Sequence, residues 1–200
     1  MSVVRVANYL WKQSAKGDWR SFKAASGCAE DTQRQLLQSI LKHACPSQFA
    51  QRFGLSADMN VREFQNAVPI TDYSNFYSAF VQRIHQGDMQ VLTSEDAYRL
   101  VPTTGSSGKV KLIPYTQSLR KSFQRVVNTW IYDLARRYPQ AFHGKSYWSV
   151  TPVVEQSFGD GIVPVGFDSD EDYLSPIGRL AAKLALIEAP NFSSGERARS

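Results

Sequence analysis

Thr103-Thr104-Gly105-Ser106-Ser107-Gly108-Lys109-Val110-Lys111 is the stretch on which the reading of this chain turns. It sets two glycines, four hydroxyl residues and two lysines between Tyr98-Arg99-Leu100-Val101 and Leu112-Ile113-Pro114-Tyr115, apolar pieces that read as strands or strand ends. Small residues let main-chain N–H groups approach an anion, and glycine reaches the positive φ angles a cradle requires. Hydroxyls add donors, and a lysine adds a mobile point charge. Composition alone fits a phosphate loop and an ordinary Gly/Ser/Thr connection between two strands equally well.

The commonest phosphate motifs do not fit. A Walker loop needs a glycine five positions before its Gly-Lys pair and a Ser or Thr directly after it. Gly108-Lys109 has Thr103 at the first of these positions and Val110 at the second. No Gly-x-Gly-x-x-Gly stands here, so a dinucleotide fingerprint is also missing from this stretch.

A different signature fits. The nine residues resemble the phosphate loop of adenylate-forming enzymes, Ser/Thr-Ser/Thr-Gly-Ser/Thr-Ser/Thr-Gly-x-Pro-Lys. Thr103, Thr104, Gly105, Ser106, Ser107, Gly108 and Lys111 match, and Val110 replaces the usual proline. The flanks resemble one branch, the GH3-type (auxin-responsive) acyl acid amido synthetases. Lys111-Leu112-Ile113-Pro114-Tyr115-Thr116 follows the loop as in that branch. Val68-Pro69-Ile70, Tyr73, Ile84 with Gly87, and Leu92-Thr93 precede it in the same order. Gly144-Lys145-Ser146-Tyr147-Trp148-Ser149 and Gly166-Phe167-Asp168-Ser169-Asp170 through Tyr173-Leu174 follow. The resemblance runs from about Asp31 to Pro190.

Composition sets broader bounds. Two hundred residues suffice for one domain with a sizeable core or two small ones. Apolar and charged fractions of 42% and 20% are those of ordinary globular proteins. Met1 to Lys12 shows no apolar run of the secretory type, and no apolar stretch approaches the roughly 20 residues of a membrane span. The expected setting is the cytoplasm, without membrane partners. Cys28 and Cys45 lack zinc-site spacing and read as reduced structural residues. The net charge of +5 and the cations Lys109, Lys111, Arg120, Lys121 and Arg125 invite a nucleic-acid reading. Eighteen acidic residues and the lack of any nucleic-acid-binding motif argue against it, and a phosphate-handling enzyme needs the same local field.

Periodicity predicts a helical first 90 residues, then mixed strands and helices, an α/β architecture. A helix is expected over Val3–Ser14, broken at Gly17. A second starts near Thr32, buries Leu36, Leu37, Ile40 and Leu41, and stops before Pro46. A short one covers Val61–Ala67. Thr71 caps another, which carries Phe76, Phe80, Val81 and Ile84 and ends at Gly87. After the loop, Thr116 caps a long helix whose stripe is Leu119, Phe123, Val126, Val127, Trp130, Ile131 and Leu134, with Phe123, Val127, Trp130 and Leu134 buried on one side. Ser146–Thr151 is strand-like, Gly159–Gly166 a loop or short strand. Residues 177–189 should form a last helix with Leu180, Leu184 and Ile187 inward. The expected organisation is one partial adenylate-forming N-terminal domain over residues 1–190 and a disordered tail over residues 191–200.

The resemblance implies roles. Gly105 to Gly108 would hold the β- and γ-phosphates of ATP through main-chain N–H groups, Thr103, Thr104, Ser106 and Ser107 would surround them with hydroxyls, and Lys111 would be the catalytic cation. Mg²⁺ would accompany ATP. Lys109 fills the slot where the pattern accepts any residue. The family's substrates are a small carboxylic acid and an amino acid. Arg125 and Thr129 are candidates for the acyl pocket, on the ground that the helix after the loop borders it in the family. The family's later elements include an aromatic–Thr–Glu segment, a ribose-binding aspartate and a mobile C-terminal domain, and no such tripeptide occurs here. The chain therefore reads as an N-terminal segment, expected to be inactive by itself. The alternative is a non-catalytic module that keeps the loop and binds nucleotide or a partner protein.

Overall fold

The structure is a computed structural model that describes residues 2–103, 110–147, 161–166, 174 and 176–187. Its first helix, α1, runs Val3–Ser26, with the Ser2 hydroxyl accepting from the Arg5 N–H at its start. Gly17 lies inside it and does not break it, contrary to the sequence expectation. A glycine in a helix interior costs only about 1 kcal/mol, and the second half of α1 is held by side chains on either side of it. Asp18 accepts a hydrogen bond from Asn128 Nδ2 at 2.8 Å, and Trp19 Nε1 donates to Asp133 at 3.2 Å.

Helix α2, Ala29–Ala44, starts earlier than Thr32 and ends before Pro46 as expected. Its buried face is smaller than predicted. Leu41 is buried and Leu37 half-buried, whereas Leu36 and Ile40 are exposed. Both ends of α2 are tied down: the Thr32 hydroxyl donates to the Ala25 carbonyl of α1 at 3.3 Å, and the carbonyl of His43 accepts from Ser94 N–H at 2.7 Å. Helix α3, Gln48–Phe53, begins at Ser47, which is fully buried and caps Ala50, and ends at Gly54 with φ 61°. Two further N–H groups of its first turn, on Gln48 and Phe49, donate to the carbonyls of Gln90 and Val91. Helix α4, Val61–Ala67, carries a reciprocal capping box between Asn60 and Glu63.

A continuous helical rod follows: α5, Tyr73–Phe76, a π-helical turn over Tyr77–Val81, and α6, Gln82–His85. Its cap is Asp72, one residue beyond the expected Thr71; the Asp72 carboxylate accepts from Asn75 N–H at 2.8 Å. Gly87, at φ 94°, ends it. Strands β1, Arg99–Pro102, and β2, Leu112–Tyr115, pair antiparallel, with Arg99 opposite Tyr115 and Pro102 opposite Leu112. On the outer side of β1, Leu100 meets Val165 in a parallel bridge. Helix α7, Gln117–Arg137, is capped by Thr116 as predicted. Strand β3, Ser146–Tyr147, pairs in parallel with β4, Leu186–Ile187, which follows helix α8, Pro176–Ala185. The last helix thus stops short of the expected residue 189. The remainder of the predicted 146–151 strand and the proposed tail lie outside the described residues.

Two cores result. One joins α1, α7 and α8 through Ala7, Trp11, Ile131, Leu174, Ala181 and Ala182. The other joins α3, the α5–α6 rod and the β1–β2 hairpin, with Phe80, Val81, Ile84, Leu100 and Leu112 buried and Phe49, Phe53 and Phe76 around Phe80. In the first core the seam differs from the one predicted. Helix α7 buries Asn128, Ile131 and Ala135, while Val127 and Leu134 are half-buried and Phe123 and Trp130 are exposed by 43% and 55%. Likewise α8 buries Ala181 and Ala182 and leaves Leu180 and Leu184 exposed. Beside Trp11 and Ile131 the seam holds small residues that let helices approach closely, and Asn128, whose amide nitrogen donates to Asp18 while its buried Oδ1 has no hydrogen-bond partner among the described residues. A search for large apolar side chains selects the neighbouring face.

Candidate functional site

The candidate loop spans the tip of the β1–β2 hairpin. Its centre, Thr104, Gly105, Ser106, Ser107, Gly108 and Lys109, lies outside the described residues; its two ends, Thr103 and Lys111, do not. They close the base of the loop: Thr103 N–H donates to the Lys111 carbonyl at 2.8 Å, and Lys111 N–H donates to the Thr103 hydroxyl at 3.2 Å. In an antiparallel pair this places residues 103 and 111 on the hydrogen-bonded rungs and turns the main-chain groups of Leu112 outward. Pro114, the next outward-facing position of β2, has no N–H to leave unpaired.

Tyr73, on the first turn of α5, covers that outer edge. Its hydroxyl accepts from Leu112 N–H at 2.6 Å and donates to the Leu112 carbonyl at 3.2 Å. Burial pushes the phenol above its ordinary pKa, so it remains a donor at neutral pH. The Lys111 ammonium stands 5.7 Å from the centre of the same ring. Lys111 is exposed, and among the described residues no carboxylate forms an ion pair with it, an arrangement that suits an incoming anion.

The helix that leaves the loop is already supplied with an anion. Glu95 accepts from Ser118 N–H at 2.9 Å, and Thr116 Oγ1 accepts from Leu119 N–H at 3.2 Å. The Ser118 N–H is the chief reason the Glu95 carboxyl lies below its ordinary range; burial opposes it, while the Ser118 hydroxyl, His43 and Lys121 add to it. The first-turn N–H groups of Ser118 and Leu119 are therefore already partnered. Sequence reasoning missed Glu95, because it lies 23 residues before Ser118 and no local spacing signals the contact. It marked Tyr73 only as an anchor of the resemblance, since the clasp on Leu112 spans 39 residues.

Arg125 and Thr129 fall elsewhere. They line an open groove of about 720 Å³ between α1, α2 and α7, walled by Trp19, Phe22, Leu36, Val126 and Trp130. Arg125 lies 3.6 Å from Asp18, and the Thr129 hydroxyl donates to the Arg125 carbonyl. Neither Thr103 nor Lys111 lines this groove. The cations that the sequence sets close together also diverge, with Lys111 over Tyr73, Lys121 near Glu95 and Arg125 beside Asp18. Among the described residues there is no cluster of three or more His, Cys, Asp or Glu side chains able to hold a metal, and no helix long and apolar enough to cross a membrane.

The site thus consists of a hydroxyl- and glycine-rich sequence between two paired strands, closed at its base by Thr103 and Lys111 and followed by a long capped helix. The model of the GH3 family N-terminal domain matches residues 19–167, and the chain belongs to that family. Membership relates it to the acyl acid amido synthetases, which use ATP. The match starts earlier and stops sooner than the stretch from about residue 31 to 190 that the motifs suggested. No curated protein matches the chain.

Proposed function

We propose that this chain is the phosphate-binding part of an acyl acid amido synthetase, with residues 1–190 forming part of an adenylate-forming domain of α/β type. In that reaction a carboxylate oxygen bonds to the α-phosphorus of ATP as pyrophosphate leaves; the amine of an amino acid then takes the acyl group, and AMP departs. Gly105 to Gly108 offer main-chain N–H groups to the β- and γ-phosphates, and Thr104, Ser106 and Ser107 offer hydroxyls. Thr103 closes the loop's base. Lys111 contributes positive charge where negative charge grows on the leaving oxygens, and preorganised charge of this kind lowers such barriers. Mg²⁺ would travel with the triphosphate, since it keeps its waters and needs few protein groups. The acid and the amino acid are small molecules, and the setting is cytoplasmic.

The observation that supports this reading best is the closed loop base with a lysine at its exit that, among the described residues, forms no ion pair with a carboxylate. Two measurements test it. Calorimetry with Mg·ATP should show binding to the chain; a chain that leaves ATP unbound overturns the reading. Acid-dependent ATP–pyrophosphate exchange should be absent from the 200-residue chain alone, and exchange with any member of a carboxylic acid panel would show that the later family elements are dispensable.

A further inference from the structure

Lys111 has four rotatable side-chain bonds and an exposed head, so something must hold its ammonium near the loop if it is to act on phosphates without a large entropy cost. Among the described residues, Tyr73 is a group that stands against that ammonium. Its hydroxyl makes two hydrogen bonds to Leu112, the residue directly after Lys111, and its ring lies 5.7 Å from the Lys111 ammonium. One side chain thus fixes both the main chain at the exit of the loop and the charge it carries.

The clasp is well placed to do this. Leu112 N–H and C=O point away from β1, and β2 has no strand on that side among the described residues. A phenol that both donates and accepts substitutes for one rung of a neighbouring strand. Tyr73 is itself held at the start of α5 by the Asp72 cap and by Tyr77, whose ring centre lies 5.9 Å away. Leu112 is buried in the second core, so β2 cannot swing outward without opening that core.

We infer that Tyr73 is a positioning residue for the loop, holding Lys111 in the geometry that receives the terminal phosphates of ATP. The inference rests on the reading of Lys111 as a phosphate-binding cation. A merely structural tyrosine would weaken the fold without regard to what stands at position 111. A tyrosine that acts through the lysine is felt only when the lysine is present.

The experiment is a double-mutant cycle on ATP affinity, measured by calorimetry with Mg·ATP on the full 200-residue chain, with circular dichroism melts of each variant. Lys111→Ala should weaken binding about ten-fold, and Tyr73→Leu about three- to ten-fold, the range of an exposed cation–π contact plus a lost main-chain clasp. The double variant should bind no worse than Lys111→Ala alone, because the two effects share one cause. If Tyr73→Leu does not fold, Tyr73→Phe, which keeps the ring and removes the clasp, tests the clasp's share in the same cycle with Lys111→Ala. Losses that add fully, or a Tyr73 variant that binds as the wild type does while Lys111→Ala is impaired, overturn the positioning role and leave the phosphate reading standing. A Lys111→Ala protein that binds ATP normally, or a wild-type chain that does not bind it, removes the phosphate reading and this inference with it.

Discussion

Two lysines two positions apart carry opposite expectations. Lys111 matches the lysine of the adenylating pattern and stands over Tyr73, whereas Lys109 fills the pattern's variable slot. In an enzyme with the activity proposed above, Lys111→Ala should lower pyrophosphate exchange about ten-fold or more, the scale of a lost preorganised charge contact. Lys109→Ala should change stability by no more than about 0.5 kcal/mol and activity only mildly. Side-by-side kinetics with ATP varied decide it; a worse Lys109 variant means the register of the loop is misassigned. Gly17 gives a second residue-scale test. It sits within α1 with open space where a Cβ would lie. Gly17→Ala should therefore stabilise the protein by about 0.5–1 kcal/mol by removing unfolded-chain freedom, read as a higher urea midpoint with unchanged slope. A lower midpoint would mean that α1 is bent or opened at this residue.

Among the elements, α7 depends on a residue from outside itself. The Glu95 carboxylate sits on its first turn, where negative charge is favoured by the helix dipole. Its folded pKa is depressed, so its stabilisation is fully present above the unfolded glutamate pKa and is lost as pH falls through the folded value. The loss should begin below about pH 5. Glu95→Gln should cost roughly 0.3–1 kcal/mol at pH 7 and flatten this part of the acid limb. Urea melts of both proteins from pH 7 to pH 3.5 compare the two curves, and parallel curves would show that Glu95 does not contribute. A similar tertiary lock sets the segment after the second core: a Cβ on Gly161 would land in the His85 imidazole, and the His85 carbonyl accepts from Ile162 N–H at 2.8 Å.

For the whole molecule, the consequence of two cores is that damage to one should spread only as far as the elements it holds. Trp11 is 2% exposed and ties α1 to α7 and α8. Trp11→Ala should cost about 3–5 kcal/mol, a large part of the roughly 5–15 kcal/mol that stabilises a typical domain. Urea unfolding should show the midpoint falling steeply, and a loss under 1 kcal/mol would mean that this core is not a cooperative part of the fold. Hydrogen exchange would add where the damage goes: amides of α7 and α8 should lose protection before those of β1 and β2.

What the sequence determined by itself was local and periodic. The Thr116 cap, the α4 span, the stop before Pro46, the hairpin on either side of the loop, and the resemblance that family membership bears out were all legible, because each depends on neighbouring residues or on ordered motifs. The tertiary structure decided which helix faces are buried. Phe123, Trp130, Leu36 and Leu180 carry the apolar signal, yet Asn128, Ala135, Ala181 and Ala182 occupy the seams. Close helix approach favours small side chains, and the buried Asn128 amide nitrogen finds its acceptor in Asp18, 110 residues away. Tertiary contacts also carried α1 through Gly17 and brought Glu95 to α7 and Tyr73 to Leu112. A one-dimensional pattern has no term for a partner many residues away, and it is such partners that set the geometry around the loop.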